Sequence, residues 1–467
     1  MDSLAPELQA RIVSFLPYTA DILSMRLVSR YYAAIAFRPL FELLRFSGRR
    51  QDQTPPWNFG SPIERELSEG QVGRTRTVEF GKLPEVVDEI LDSSLARYAK
   101  IFAFDPAYYR EKFWQDYLMQ LENEMNEPID EADLDWDEDD SDVEANTDAA
   151  IEREFERRRT RPDREAETIN AARTTWNEKI VEQKQNEEAI VIALTKLFQV
   201  MAALEKVEIK PWVFDGRLLF PGLKSCNSYE IDVQRRDSFP TTFFLEILAQ
   251  ALHAADRRIK CLHVSEFFAD RIHDSSATRH VFTGLQEIRL DVLHVEYLAD
   301  EAQRHQVLVE LFKCSQPTLR KLSFVGGGKW MHLPARGAHS LLKIFSDQTD
   351  ETPLVFPQLE FVRLGGLILS TPPLLRFLRA QPSLKHLEFS YIYLSTPDCG
   401  WPSLVKGLPR SIENWKVFGP VGHEPMEANS PPAYNWMTTW IPRSLPATSG
   451  WKAIPHENET TYFERIG

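Results

Sequence analysis

At 467 residues the chain is too long for one ordinary compact domain, whereas an elongated array of stacked units uses such a length. Hydrophobic residues make up 43% of it and aromatics 11%, enough for a substantial core. The formal net charge of −15, from 69 acidic against 54 basic side chains, argues against a general nucleic-acid binder, which needs a basic face to neutralise phosphates.

The four cysteines, Cys226, Cys261, Cys314 and Cys399, are far apart and form no CxxC pair. They fit a reducing compartment better than a disulfide framework. The opening Met1-Asp2-Ser3-Leu4-Ala5-Pro6-Glu7 lacks the basic-then-apolar order of a signal peptide, and no run of about 18 apolar residues follows. The expectation is a cytoplasmic or nuclear protein with no membrane partner.

Residues 1–46 are strongly patterned. Leu8, Ile12, Phe15 and Leu16 share one face of a short helix that Pro17 ends. Asp21 favours the start of a second helix, carrying Leu23, Leu27 and Val28. Ser29 can cap a third, with Tyr32 and Ile35 on one side. Three such short helices bury little among themselves and leave apolar side chains in want of a partner.

Residues 47–70, with Pro55, Pro56, Gly60 and Pro62, read as a linker. Regular structure resumes over 71–121, with a strand-like alternation from Val72 to Phe80 and a helix from Leu83 to Leu95. Between Glu122 and Asp148 stand fourteen Asp or Glu and no Lys or Arg. Together with the basic run Arg157-Arg158-Arg159-Thr160-Arg161, this predicts a disordered insert over 122–163. A helical segment follows over 164–203, amphipathic through Ile190, Leu194, Leu197, Phe198 and Met201.

Over 204–421 a spaced apolar triplet, L-x-x-L-x-L, recurs. Its members are Leu204-Val207-Ile209, Ile259-Leu262-Val264, Leu285-Ile288-Leu290, Leu319-Leu322-Phe324, Leu359-Val362-Leu364, Leu384-Leu387-Phe389 and the degenerate Ile412-Trp415-Val417. Proline precedes several of them, as in Pro317-Thr318-Leu319 and Pro382-Ser383-Leu384. Helical patterns such as Phe243–His253 and Pro373–Ala380 lie between. The last two triplet members are two residues apart, so they face one side of a strand. One such unit cannot cover its own apolar face, so the units must stack into a parallel sheet backed by helices. The pattern resembles an irregular leucine-rich repeat, although the Asn or Cys expected after the triplet is absent. The tail 422–467, rich in Pro and Trp, suits a cap over the last unit.

The stretch Leu4-Ala5-Pro6-Glu7-Leu8, Ile12-Val13-Ser14-Phe15-Leu16-Pro17, then Asp21 through Tyr32, with its Leu27-Val28-Ser29-Arg30 ending, resembles an F-box. Pro6 sits one place later than in the commonest form of that motif. The resemblance implies docking onto a Skp-type adaptor, and through it a cullin scaffold, by Leu4, Pro6, Leu8, Ile12, Leu16, Pro17, Leu23, Leu27, Val28 and Tyr32. With the repeats it implies an α/β protein: a three-helix F-box followed by an irregular leucine-rich-repeat-like solenoid with a disordered acidic insert. Its expected role is the substrate-recruiting subunit of a ubiquitin ligase. The alternative is an interaction scaffold acting outside ubiquitination.

A protein target would then meet the strand residues that alternate with the inward ones. These are Lys206 and Glu208, Cys261 and His263, Glu287 and Arg289, Lys321 and Ser323, Phe361 and Arg363, and His386 and Glu388.

Catalytic and cofactor signatures are not matched, so no enzyme, cofactor or metal is expected. Val325-Gly326-Gly327-Gly328-Lys329-Trp330 lacks the first glycine and the Ser/Thr of a phosphate loop. Asp133, Asp135, Asp137, Asp139 and Glu144 fall at calcium-loop spacing, but Glu138 stands where glycine is required for the turn. Cys261 and His263 have no second pair at ligand spacing.

Overall fold

The computed structural model describes residues 42–47, 73–92, 96–109, 111, 113–126, 143–209, 241–267, 272–292, 301–326, 353–365, 367–369, 371–390, 392–394, 401–418, 422–423, 451–455 and 460–465. It is a mixed α/β fold built on one large parallel sheet. The strands are β1 (Leu43–Ser47), β2 (Gly73–Thr77), β3 (Ile101–Asp105), β4 (Lys206–Ile209), β5 (Cys261–Phe267), β6 (Glu287–Val292), β7 (Lys321–Gly326) and β8 (Phe361–Gly365). They continue with β9 (Ile368–Leu369), β10 (His386–Ser390), β11 (Tyr393–Leu394), β12 (Asn414–Phe418), β13 (Gly422–His423), β14 (Trp451–Pro455) and β15 (Thr460–Arg465). The helices are α1 (Leu83–Asp92), α2 (Phe113–Asn126), α3 (Val143–Val200), α4 (Thr241–Ala254), α5 (Ser276–Phe282), α6 (Glu301–Ser315), α7 (Thr371–Ala380) and α8 (Trp401–Gly407).

The twelve-stranded sheet has the order β14-β15-β12-β10-β8-β7-β6-β5-β4-β3-β1-β2. Parallel pairing runs without interruption from β2 to β12, and antiparallel β15 and β14 close the far end. The dipeptide strands β9, β11 and β13 form a second small parallel sheet.

The register explains the triplets. Val207, Leu262, Ile288, Leu322, Val362, Leu387 and Trp415 stand side by side in one row. Ile209, Val264, Leu290, Phe324, Leu364, Phe389 and Val417 form a second row two residues on. Both rows are buried in one continuous core with α1, α4, α5, α6, α7, α8 and the C-terminal end of α3. Alternation places these side chains on the helix-covered face, and the residues between them on the other.

The proline-led turns have a hydrogen-bonding role. Thr318 Oγ1 donates to the Leu285 carbonyl at 2.8 Å, and Ser383 Oγ donates to the Pro357 carbonyl at 2.7 Å. Each hydroxyl ties a triplet leader to the preceding unit. At the opposite end of the strands, Gly365 has no side chain for a physical reason: a Cβ there would collide with Ser390 Oγ on the neighbouring strand.

The structure corrects three sequence expectations. Residues 43–46, grouped with the N-terminal helices, belong to β1, and Leu44 and Phe46 lie in the core. The strand β3 was not anticipated, yet it stands between β1 and β4. The predicted disordered insert 122–163 is helical where described: Glu122 to Asn126 end α2, and α3 starts at Val143, not after Pro162. The acidic run ends at Asp148, inside α3. Beyond it, Ala, Glu and Arg, which are strong helix formers, alternate in charge. Residues 127–142 lie outside the described residues.

The middle of α3 packs against α2 in a separate core of Tyr109, Trp114, Tyr117, Ile169, Ala172, Trp176 and Ile180. Phe113 stacks on Trp176 with ring centroids 4.1 Å apart. Gln183 locks this pair of helices to the sheet. Its side chain accepts from the Tyr109 N–H at 2.7 Å and donates to the Tyr109 carbonyl at 3.0 Å. Among the described residues, no helix is long and apolar enough to cross a membrane.

Candidate recognition face

The face of the sheet away from the helices carries two register rows. The first reads Lys206, Cys261, Glu287, Lys321, Phe361, His386, Asn414; the second reads Glu208, His263, Arg289, Ser323, Arg363, Glu388, Lys416. All twelve residues named from sequence as target-facing stand in these rows. The ten named for adaptor docking, Leu4 through Tyr32, lie outside the described residues. Toward β1 the first row turns apolar through Ile101 and Leu43, while the second runs through Ala103 to Arg45. Leu43 and Ala103 are buried although they stand opposite the main core.

The side chains pair both along a strand and across strands, where neighbours on a sheet face stand about 5 Å apart. Lys206 bonds Glu208 at 2.7 Å. His263 Nε2 lies 2.8 Å from a Glu287 carboxylate oxygen and donates to it, while its Nδ1 lies 3.8 Å from Glu208. Lys321 approaches the other oxygen of Glu287 at 3.7 Å. Arg289 reaches Asp291 at 3.4 Å, and Ser265 Oγ reaches the same carboxylate at 3.2 Å. Further along, Arg363 stands 3.9 Å from Glu388, which also pairs closely with Lys416. His386 Nδ1 lies 2.9 Å from Asn414 Oδ1.

Depth differs along the face. Glu208 and His263, expected at the open surface, are only 4% and 8% exposed. Alternation fixes which face a residue occupies but not how deeply its neighbours cover it. Asp291 and Lys416 belong to the face and were not named from sequence. Lys416 was within reach of the same alternation rule, because it stands between Trp415 and Val417 of the degenerate triplet. Asp291 required one further step along β6, beyond the triplet.

Burial sets the protonation states. It pushes His263 below the ordinary imidazole range, against the pull of Glu287 and Glu208, so the ring is neutral near pH 7. The hydrogen bond from that ring holds the Glu287 carboxyl down to about 2. Burial pushes the Cys261 thiol up, which disfavours a nucleophilic thiolate. Among the described residues, no group of three or more His, Cys, Asp or Glu is placed to hold a metal ion.

The pH dependence follows with a definite sign. Below the ordinary histidine value of about 6.5 the unfolded chain takes up a proton at residue 263 while the folded chain does not. Stability therefore falls as pH falls through that value. A second loss begins below the ordinary value of Glu287 and continues toward its folded value of about 2. His263→Gln keeps a donor for Glu287 and has nothing to titrate. Urea midpoints of this variant should decline less than those of the parent between pH 7 and 5, by at most about 1.4 kcal/mol per pH unit. Parallel declines would show that His263 does not contribute.

No known protein-family model matches the chain. A search of curated proteins returned no match either.

Proposed function

We propose that this chain is the substrate-recruiting F-box subunit of an SCF-type ubiquitin ligase. In this reading the N-terminal segment binds a Skp-type adaptor and the open sheet face receives a protein target. The observation that carries it is the combination in one chain of the F-box-like pattern Leu4–Tyr32 and a parallel sheet whose triplet rows pack on helices at one face. The regular stacking of triplet rows supports a leucine-rich-repeat-like solenoid, whose strand face opposite the triplet rows is a ready surface for a partner. The mixed charges on that face, paired side to side, suit selective protein recognition more than bulk affinity.

The test is co-expression with a Skp-type adaptor, followed by affinity capture and size-exclusion chromatography. The two proteins are expected to elute together. Leu16→Asp combined with Leu27→Asp should abolish the complex, since each places a charge in an apolar docking surface. A complex that survives both substitutions refutes the F-box assignment. Failure of the parent chain to bind any adaptor, with the sheet intact, favours the interaction-scaffold reading instead.

A further inference from the structure

The open face is electrically divided. On β4, β5 and β6 its described charged side chains are Lys206 and Arg289 against Glu208, Glu287 and Asp291, an excess of one negative charge with His263 neutral. On β7, β8, β10 and β12 they are Lys321, Arg363 and Lys416 against Glu388 alone, an excess of two positive charges. The chain as a whole carries −15. The second half is thus a local reversal of the molecule's charge.

Two of the three cations there are weakly engaged. Among the described residues, Arg363 has a single carboxylate partner, at 3.9 Å, and shares it with Lys416. Lys321 reaches across to Glu287 at 3.7 Å and its side chain is 59% exposed. Between Arg289 and Arg363, the buried hydroxyl of Ser323 has no hydrogen-bond partner among the described residues. Phe361 stands beside Lys321 and adds an apolar contact surface.

We propose that this half of the face binds an extended acidic segment of a partner protein, laid across β7, β8, β10 and β12. Spacing selects this ligand. Three strand intervals separate Lys321 from Lys416, about 14 Å in all. A single phosphate is too small to meet cations spread so widely. Same-side carboxylates of an extended chain recur about every 7 Å and match the span. The acidic remainder of the molecule repels such a segment elsewhere, which confines it to this region. The inference deepens the reading of the open face as the target site, and it does not depend on the F-box assignment.

The test uses the full chain and fluorescein-labelled twelve-residue peptides: an alternating Glu-Ser peptide, its Lys-Ser counterpart, a Gln-Ser peptide and a Gln-Ser peptide with one phosphoserine. Fluorescence anisotropy should show salt-sensitive binding of the Glu peptide and at least tenfold weaker binding of the others. Lys321→Gln, Arg363→Gln and Lys416→Gln together should weaken the Glu peptide at least tenfold. Glu388→Gln, which removes the one carboxylate facing these cations on β8 and β12, should tighten it severalfold. Lys184→Gln on α3, remote from the face, should leave it unchanged. Far-UV circular dichroism confirms folding of each variant. Equal binding of Glu and Gln peptides, a preference for the phosphopeptide alone, or indifference to both sets of substitutions on the face would overturn the proposal. Adaptor capture measured on the same preparations separates the two readings: capture without peptide binding defeats only this one, and peptide binding without capture defeats only the ligase assignment.

Discussion

Replacing Trp415 with alanine should lower the unfolding free energy by about 3–5 kcal/mol, the usual range for deleting a large buried aromatic. The residue is 1% exposed and occupies the inward row of β12, where the parallel pairing ends. Its ring stacks on Phe463 of β15 at a centroid distance of 4.0 Å, and meets Trp451 of β14 edge-on at 6.1 Å. Those contacts attach the two antiparallel strands that close the sheet. Without the indole, the last parallel strand loses its cover as well as its own buried area. Unfolding should then begin at this end, so limited proteolysis should release a fragment containing residues 451–465 before the rest is cut. Trp415→Phe is the informative companion. The indole N–H has no acceptor among the described residues, so phenylalanine removes an unsatisfied polar atom while keeping most of the stack. Its cost should be well below that of alanine. Equal losses in a denaturant titration, or a tail no easier to cleave, would mean that the cap is held by something other than this stack.

The repeated part of the fold was legible because its signal is strong: Leu or Ile in most triplet positions, with helical patterns between. Strands β1 and β3 were missed although they obey the same spacing. Phe41, Leu44 and Phe46, and likewise Ala99, Phe102 and Phe104, are L-x-x-L-x-L triplets in which aromatics and alanine replace leucine. A search keyed to leucine passes over them. The backbone settles their membership. The residue two places before each first inward position hands its carbonyl to the next unit, from Glu42 to Lys100, Glu205, Lys260, Gln286, Arg320, Glu360, Lys385 and Glu413.

That series alternates in charge along nearly its whole length, and Lys100–Glu42, Lys260–Glu205 and Lys385–Glu413 are ion pairs at 2.7, 2.7 and 3.2 Å. Each pair is half-exposed and contributes little stability alone. Their joint effect is on register, since a shift of one unit would set like charges side by side. Sequence reading could have found this ladder only after the strands were aligned. For the recognition face the limit was different. Alternation named the right side of the sheet, but the cross-strand partners that bury Glu208 and His263 come from other units.

The turn before β8 offers the second large effect. Gln381, 1% exposed, follows α7 and reaches back to the segment leading into the preceding strand. Its Oε1 accepts from the Phe356 N–H at 2.8 Å, and its Nε2 donates to the carbonyls of Leu354 and Phe377, both at 2.9 Å. One amide thus satisfies three buried backbone groups in two different units. Gln381→Leu preserves volume and leaves the Phe356 N–H and the Leu354 carbonyl without partners. At about 1–3 kcal/mol for each stranded group, the loss should total about 2–6 kcal/mol. Gln381→Glu separates the two roles of the amide. The carboxylate can still accept from Phe356 but, when ionised, it faces two carbonyl oxygens with nothing to donate. Its penalty should therefore shrink as the pH is lowered and the carboxyl gains a proton, while that of Gln381→Leu should not. Urea midpoints of both variants relative to the parent, taken at pH 7 and pH 5, make the comparison. If Gln381→Glu shows no relative recovery at the lower pH, donation to Leu354 and Phe377 is not what stabilises the turn, and the packing of the side chain alone must account for it.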